Sequence, residues 1–374
     1  MNADQTTTDV RCHSPLEARH EALGAKFAEF SGWWMPLEYA GGGVLAEHAC
    51  VREAVGVFDV SHLGKLRVTG PGAAAYLNTR LAGDLARIGS GQAQYTLLCD
   101  EAGGVVDDLI AYVFGPDEVF LMPNAANAAH VAELLRTGAP EGIAVADHHH
   151  DYAVIAVQGP ASPAVLAGLG LPTDMDYMAF APVGAHGWTA TVCRTGYTGE
   201  HGYELVVPAE AAVALWDAIM AAGTAVGLRP CGLAARDTLR TEMGYPLHGH
   251  DISGAIGPVE AGLTWAIGWD KPVFDGAPAL RAARAAGPSR RLRGLAAEGR
   301  GIPRPGMAVV GLDGPAPEVG AVTSGTFSPT LRTGIALALV DAAIPLGERV
   351  GVRIRDRVEP FTLVKPPFVP SHVH

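Results

Sequence analysis

Two adjacent carboxylates, Asp107 and Asp108, stand inside the run VVDDLIAYV (105–113), where every other residue is apolar or aromatic. If the run is a strand, successive side chains alternate between faces. Val106, Asp108, Ile110 and Tyr112 then share one face, and Asp107, Leu109, Ala111 and Val113 the other. Whichever face is buried, an Asp lies among apolar neighbours, where a carboxylate must find donors or shift its pKa. Such a group lining a pocket can hold or move a proton. A solvated pair at a sheet edge is the competing reading. Opposite faces also imply that replacing Asp107 is milder than replacing Asp108. Glu204 repeats the signal. It sits between Tyr203 and Leu205, just after a loop carrying Gly196, Gly199 and Gly202. Glycines allow close approach of backbone to a ligand, but they also make an ordinary turn. On the run Leu233–Met243, Arg236 and Arg240 are one helical turn apart, with Asp237 and Glu242 available to pair with them.

Other chemistries find less support. There is no G-x-x-x-x-G-K-[ST] loop, and Gly41-Gly42-Gly43 leads into Val44 rather than a phosphate-binding pattern. His148-His149-His150 lies in a polar turn between Asp147 and Asp151, and His248-x-His250 with Asp251 lacks a third ligand by spacing. No metal is expected. Cys12, Cys50, Cys99, Cys193 and Cys231 are scattered and odd in number, as in a reduced, cytoplasmic protein. The net charge of −12 argues against nucleic acid as the main partner. No stretch reaches about 18 consecutive apolar residues, so no membrane span is expected.

The elements that must position these residues read as α+β. Val105–Val113 and Val119–Met122 form a hairpin around Gly115-Pro116-Asp117-Glu118. Asn124 or Asn127 caps a helix that stops near Gly138. Strands at Thr189–Thr195 and Tyr203–Val207 flank the glycine loop, and helices follow from Pro208 to about Ala222 and over Leu233–Met243. Residues 1–13 are polar and lack periodicity, which predicts a disordered tail. The Arg-rich stretch Gly276–Pro305 ends in Pro-Gly punctuation, with a boundary near Gly287-Pro288. It reads as a linker or a basic steering surface. Beyond it, Ala308–Val310, Gly334–Val340, Arg349–Ile354 and Phe361–Val364 read as a small β-barrel or sandwich. The expected organisation is therefore 1–13 tail, 14–286 as two α+β subdomains, and 287–374 as a β-barrel.

Ten segments together resemble the glycine cleavage T-protein family, among them VGVFDVSHLGKLRVTG (55–70), GGVVDDLIAYVF (103–114), PNAAN (123–127), RTGYTGEHGYE (194–204), CGLAARDTLRTEMGYPLHGHDIS (231–253) and KPPFVP (365–370). The resemblance runs over nearly the whole chain from Ser14. It implies a cloverleaf of α+β domains around a central tetrahydrofolate site, with a C-terminal β-barrel. It implies transfer of a methylene carbon from the aminomethyl-lipoyl arm of H-protein to tetrahydrofolate, with release of ammonia. Carried over residue by residue, Asp108 matches the essential carboxylate. Leu63, Tyr95, Tyr112, Asn124, Tyr197, Glu204 and Arg236 match folate-pocket positions. Glu204 would accept from the pterin N–H edge and Arg236 would donate to its carbonyl side. Two departures stand out: Pro123 precedes Asn124, and the tail after KPPFVP is Ser371-His372-Val373-His374 without the family's aromatic cover. Relatives of other function share the fold, namely folate-linked demethylases and an accessory folate-binding group of iron–sulfur assembly that commonly loses the Asp. A purely structural interaction protein is the remaining alternative.

Overall fold

The computed structural model describes residues 11–185, 188–312 and 317–374. Three sheets precede residue 290, and the chain moves between them rather than completing one at a time. A three-stranded sheet takes the order Cys12–His13, Trp33–Tyr39, Ala25–Phe30. A five-stranded sheet runs Gln92–Cys99, Val105–Gly115, Glu118–Met122, Leu66–Thr69, Ala144–Asp147. A six-stranded sheet runs Phe180–Ala185, Trp188–Cys193, Gly202–Pro208, Tyr152–Gln158, Gly56–Asp59, Arg229–Pro230. The strand Gly56–Asp59 therefore belongs to the same sheet as residues a hundred positions later.

Of the expected tail, residues 1–10 lie outside the described residues, whereas Cys12 and His13 pair in parallel with Trp33 and Trp34. The Asp-bearing strand alternates as its pattern requires. Leu109, Ala111 and Val113 pack with Leu66, Leu77, Val131 and Leu135 against the helices of their own sheet. Tyr112 and Ile110 turn the other way, into a cluster with Phe58, Val154, Val206, Ala235 and Leu239. That second cluster is the seam between the two larger sheets, and Asp108 lies on its side of the strand.

The helix Ala212–Gly223 follows a single 3₁₀ turn at Ala209–Ala211. The segment Ala209–Val226 is long and apolar enough to cross a membrane by length and composition. In this fold Leu215, Trp216 and Ile219 fill the core beneath the six-stranded sheet, and Asp217 pairs with Arg19 at 2.7 Å. The helix Leu233–Met243 ends as read, with Gly244 in the left-handed conformation at φ 68°.

The Arg-rich stretch is regular structure, which its composition hid. Ala277–Ala286 is a helix, and Arg290–Ala297 is a strand of the closed barrel, seated between Thr333–Asp341 and Arg357–Val364. The other barrel strands are Glu318–Ser328, Ala308–Val310 and Arg349–Ile354. Arg284 covers the Trp269 ring at 4.4 Å, Arg281 donates to the Lys271 carbonyl, and Arg290 pairs with Glu260 at 3.1 Å. Arg291, Arg300 and Arg304 remain exposed.

Candidate active site

Asp108 is partly buried and held on two sides. The Tyr95 hydroxyl donates to its Oδ2 at 3.0 Å, and Asn124 Nδ2 donates to its Oδ1 at 2.8 Å. Tyr95 comes from the neighbouring strand of the sheet, Gln92–Cys99, and Asn124 from the chain just past Glu118–Met122. Pro123 therefore ends a strand at the place where Asn124 must turn its amide back toward that strand's partner. Burial pushes the Asp108 carboxyl above its usual range, against the pull of Tyr95, His248 and Asn124.

Asp107 is fully buried on the other face, yet it is not remote from Asp108. Asn124 Nδ2 also donates to Asp107 Oδ1 at 2.9 Å, and the Asn124 backbone N–H donates to Asp107 Oδ2 at 3.0 Å. A third donor, Asn127 Nδ2, reaches Asp107 Oδ1 at 2.7 Å. Asn127 stands at the N-cap of the helix Ala128–Thr137 but makes no side-chain cap bond. Its amide serves Asp107 and His248 instead. The two residues alternate between faces as the strand period requires, and a single amide from the adjacent chain nevertheless spans both carboxylates.

A second group of residues faces this pair. Arg236 lies 4.7 Å over the Tyr197 ring, and its Nη1 is buried without a hydrogen-bond partner. Burial lowers the Arg236 pKa, while Glu204 and Tyr197 oppose that shift. Glu204 is buried and accepts from Thr195 Oγ1 at 2.6 Å. The Tyr112 hydroxyl lies 3.5 Å from the same Thr195 oxygen. Leu63 packs against the cluster that contains Tyr112. Burial pushes the Tyr197 hydroxyl above its usual range, and the charges acting on it are those of Arg240 first, then Asp108, Arg236 and Asp251. All eight residues singled out by resemblance thus form one chain of neighbours across the seam. Arg240 also lies close enough to act on Tyr197, but its own donors are taken: it pairs with Asp237 at 2.7 Å and with buried Asp251 at 2.8 Å.

The glycine loop is shaped by packing as well as by any ligand. At Gly199, with φ +81°, a Cβ would come within 2.2 Å of Met243 Sδ. Gly196 and Gly202 leave room for the Gln158 amide. The tail closes on this loop through main-chain contacts: His372 N–H donates to the Gly199 carbonyl at 2.7 Å, and Arg194 Nη2 donates to the Val373 carbonyl at 2.6 Å. His372 also meets Glu200 at 3.0 Å.

Sequence reasoning missed His62, Asn127 and Thr195 as members of this neighbourhood. His62 is buried, its Nδ1 lacks a partner, and burial with nearby Arg236 pushes its pKa down to about 3. A histidine between apolar runs in DVSHLG was the only signal. The two histidine clusters serve other contacts. His149 Nε2 meets the His62 carbonyl at 2.8 Å, and His248 bonds Asn127 and the Val105 carbonyl.

Known proteins similar to this chain agree on its kinship. Residues 16–271 match the GCVT N-terminal domain, and residues 290–370 match the glycine cleavage T-protein C-terminal barrel domain. The chain belongs to the glycine cleavage T-protein family. An aminomethyltransferase of Parafrankia sp. (strain EAN1pec) is 62% identical over 95% of this chain and 97% of its own length. One of Mycobacterium tuberculosis (strain H37Rv) is 57% identical over 96% of each. The crystal structure of glycine cleavage system aminomethyltransferase T from Bartonella henselae superposes with a TM-score of 0.90, at 36% identity, over 96% of this chain and 98% of that one. The T-protein family barrel thus begins at the strand Arg290–Ala297, inside the stretch whose arginines resembled a linker.

Proposed function

We propose that this aminomethyltransferase binds tetrahydrofolate in the seam between the two larger sheets and uses Asp108 as its reactive carboxylate. The observation that carries the reading is the facing of two unlike groups. Asp108, held by Tyr95 and Asn124, lies on one side. Glu204 and the unpartnered Arg236 guanidinium lie on the other. A pterin ring offers N–H donors along one edge and a carbonyl beside them. Glu204 suits the donors, and the spare Arg236 N–H suits the carbonyl, by charge-assisted bonds. Tyr197, Tyr95, Tyr112 and Leu63 supply ring and apolar surface.

The reaction joins a sulfur-bound aminomethyl carbon to two folate nitrogens. The carbon–sulfur bond and the carbon–amine bond break, and two carbon–nitrogen bonds form. The two folate N–H protons end on the departing sulfur and the departing amine, giving a thiol and ammonia. Asp108 stabilises the positive charge that develops as ammonia leaves, and it moves a proton at the folate nitrogen. The carrier in this reading is a lipoylated H-protein. Five free cysteines among the described residues, four of them buried, accord with a cytoplasmic setting.

Purified protein should release ammonia only when both tetrahydrofolate and aminomethyl-loaded, lipoylated H-protein are supplied. Faster turnover with sarcosine, dimethylglycine or a sulfonium donor would overturn the assignment.

A further inference from the structure

The two carboxylates that the strand sends to opposite faces are wired together. Asn124 Nδ2 carries two N–H bonds and sits within 2.9 Å of Asp107 Oδ1, within 2.9 Å of the Asp108 carbonyl and within 2.8 Å of Asp108 Oδ1. Asp107 cannot be an incidental neighbour, because three N–H groups converge on it in a fully buried place. Its third donor, Asn127, gives up the helix cap that its position offers. Behind Asn127 stands His248. Its Nε2 reaches the Val105 carbonyl at 3.0 Å, so that nitrogen carries the proton, and its Nδ1 accepts from Asn127 Nδ2 at 3.0 Å. The donor–acceptor order is thereby fixed along the whole line, from the Val105 carbonyl to the Asp108 carboxylate.

We infer that Asp107 is a positioning residue for Asp108, acting through the Asn124 amide and braced from behind by Asn127 and His248. This rests on Asp108 being the reactive carboxylate. The Asp107 oxygens accept from three N–H groups and so orient the Asn124 amide with its second N–H on Asp108, while burial and the charge of Asp108 push the Asp107 carboxyl up to about 8. The groups facing Asp108 are Tyr95 from the strand Gln92–Cys99, His248 from the chain after the helix Leu233–Met243, Tyr197 from the glycine loop, and Asp107 itself.

The test compares Asp107→Asn, Asp108→Asn and His248→Gln in the complete ammonia-release assay, with pH profiles and melting temperatures. In Asp107→Asn, one acceptor becomes an NH₂ group facing the Asn124 donors. We expect kcat to fall about tenfold or more, within the usual worth of a positioned acid–base group. KM for tetrahydrofolate should stay within about twofold. The acid limb of the kcat profile should move to higher pH by about half a unit or more, because an Asn124 amide that has lost its anchor no longer holds its N–H on the ionised Asp108, the bond that lowers the Asp108 pKa. A role in folding alone would lower the melting temperature and leave that limb in place. His248→Gln keeps a donor for the Val105 carbonyl and disturbs only the brace. It serves if Asp107→Asn fails to fold, and it should lower kcat with KM and melting temperature little changed. Wild-type kcat and pH profile in Asp107→Asn, or in His248→Gln where the first does not fold, overturn the inference if Asp108→Asn is inactive. Full activity in Asp108→Asn removes the catalytic reading itself.

Discussion

At the scale of the residue, what decides function is which polar atoms remain for a ligand. Arg240 and Arg236 stand one turn apart and look alike in sequence. Arg240 is consumed by Asp237, Asp251 and Ser324, whereas Arg236 keeps an unpartnered Nη1 over Tyr197. Arg236→Ala should therefore weaken tetrahydrofolate binding, and Arg240→Ala should lower stability first. Glu204→Gln keeps shape but removes charge, and a lost charge-assisted bond costs about 1.5–3 kcal/mol. Titration calorimetry checks both; unchanged affinity in Glu204→Gln and Arg236→Ala would take those residues out of the site. Asp108→Asn should bind folate almost normally while kcat drops about 10²–10⁴-fold. Periodicity alone sets one Asp among apolar residues on each face of the strand. It could not show that Asn124 spans both carboxylates, because that contact comes from a separate strand end and depends on where Pro123 stops the ladder.

At the scale of the element, the helix Leu233–Met243 is the piece most fully legible in advance, ending at the Gly that its pattern demands. Its partners were not legible. Buried Glu242 collects His48 at 2.9 Å, Arg52 at 2.7 Å and the Ser328 hydroxyl at 2.6 Å, so it ties this helix to the helix Gly43–Glu53 and to the barrel strand Glu318–Ser328. The donors from His48 and Ser328, with Arg52 beside them, outweigh burial and hold Glu242 at about 2, below its ordinary 4.5. A lowered carboxylate stabilises the fold above its unfolded value, and that contribution fades as pH falls from about 4.5 to about 2. Glu242→Gln should destabilise the protein by about 3–5 kcal/mol at neutral pH, the cost of breaking a buried charge network. It should also flatten the acid side of the stability curve over that window. Denaturant melts at pH 7 and pH 3 would show it; an equal loss at both would mean that the charge is not what matters. The strand Arg290–Ala297 is the opposite case. Three arginines and charged neighbours masked a barrel strand, because a strand facing solvent on one side tolerates long cations whose stems cover apolar surface.

At the scale of the whole molecule, the barrel and the chain before it meet at the site's back wall. Asp251 accepts from Arg240 Nη1 and Ser324 Oγ at 2.8 Å and from Thr323 Oγ1 at 2.5 Å. The tail continues from the barrel, with the Phe368 N–H donating to the Glu242 carbonyl at 2.8 Å, and then docks on the glycine loop. The tail lacks the aromatic residues that would cover a folate pocket, and it meets the glycine loop through two main-chain bonds and the His372 ring on Glu200. Deleting Ser371–His374 should remove two such bonds, each worth about 1 kcal/mol, and raise KM for tetrahydrofolate several-fold with little change in melting temperature. An unchanged KM would leave the tail as mere packing.

Trp265 is 68% exposed, and its ring stacks on Tyr95 at 5.5 Å between centroids; the same tyrosine holds Asp108. That makes it a built-in optical reporter. Among six tryptophans, Trp33 and Trp216 are buried and should emit toward the blue, out of reach of acrylamide. Trp34 and Trp269 are half-buried and Trp265 alone is exposed among the tryptophans whose side chains are described, so the quenchable, red-shifted emission that Trp265→Phe removes is its contribution. Any ligand that displaces or covers Tyr95 must change the light from this indole. Occupancy of the carboxylate side of the site can therefore be followed in real time without a label, and separately from turnover.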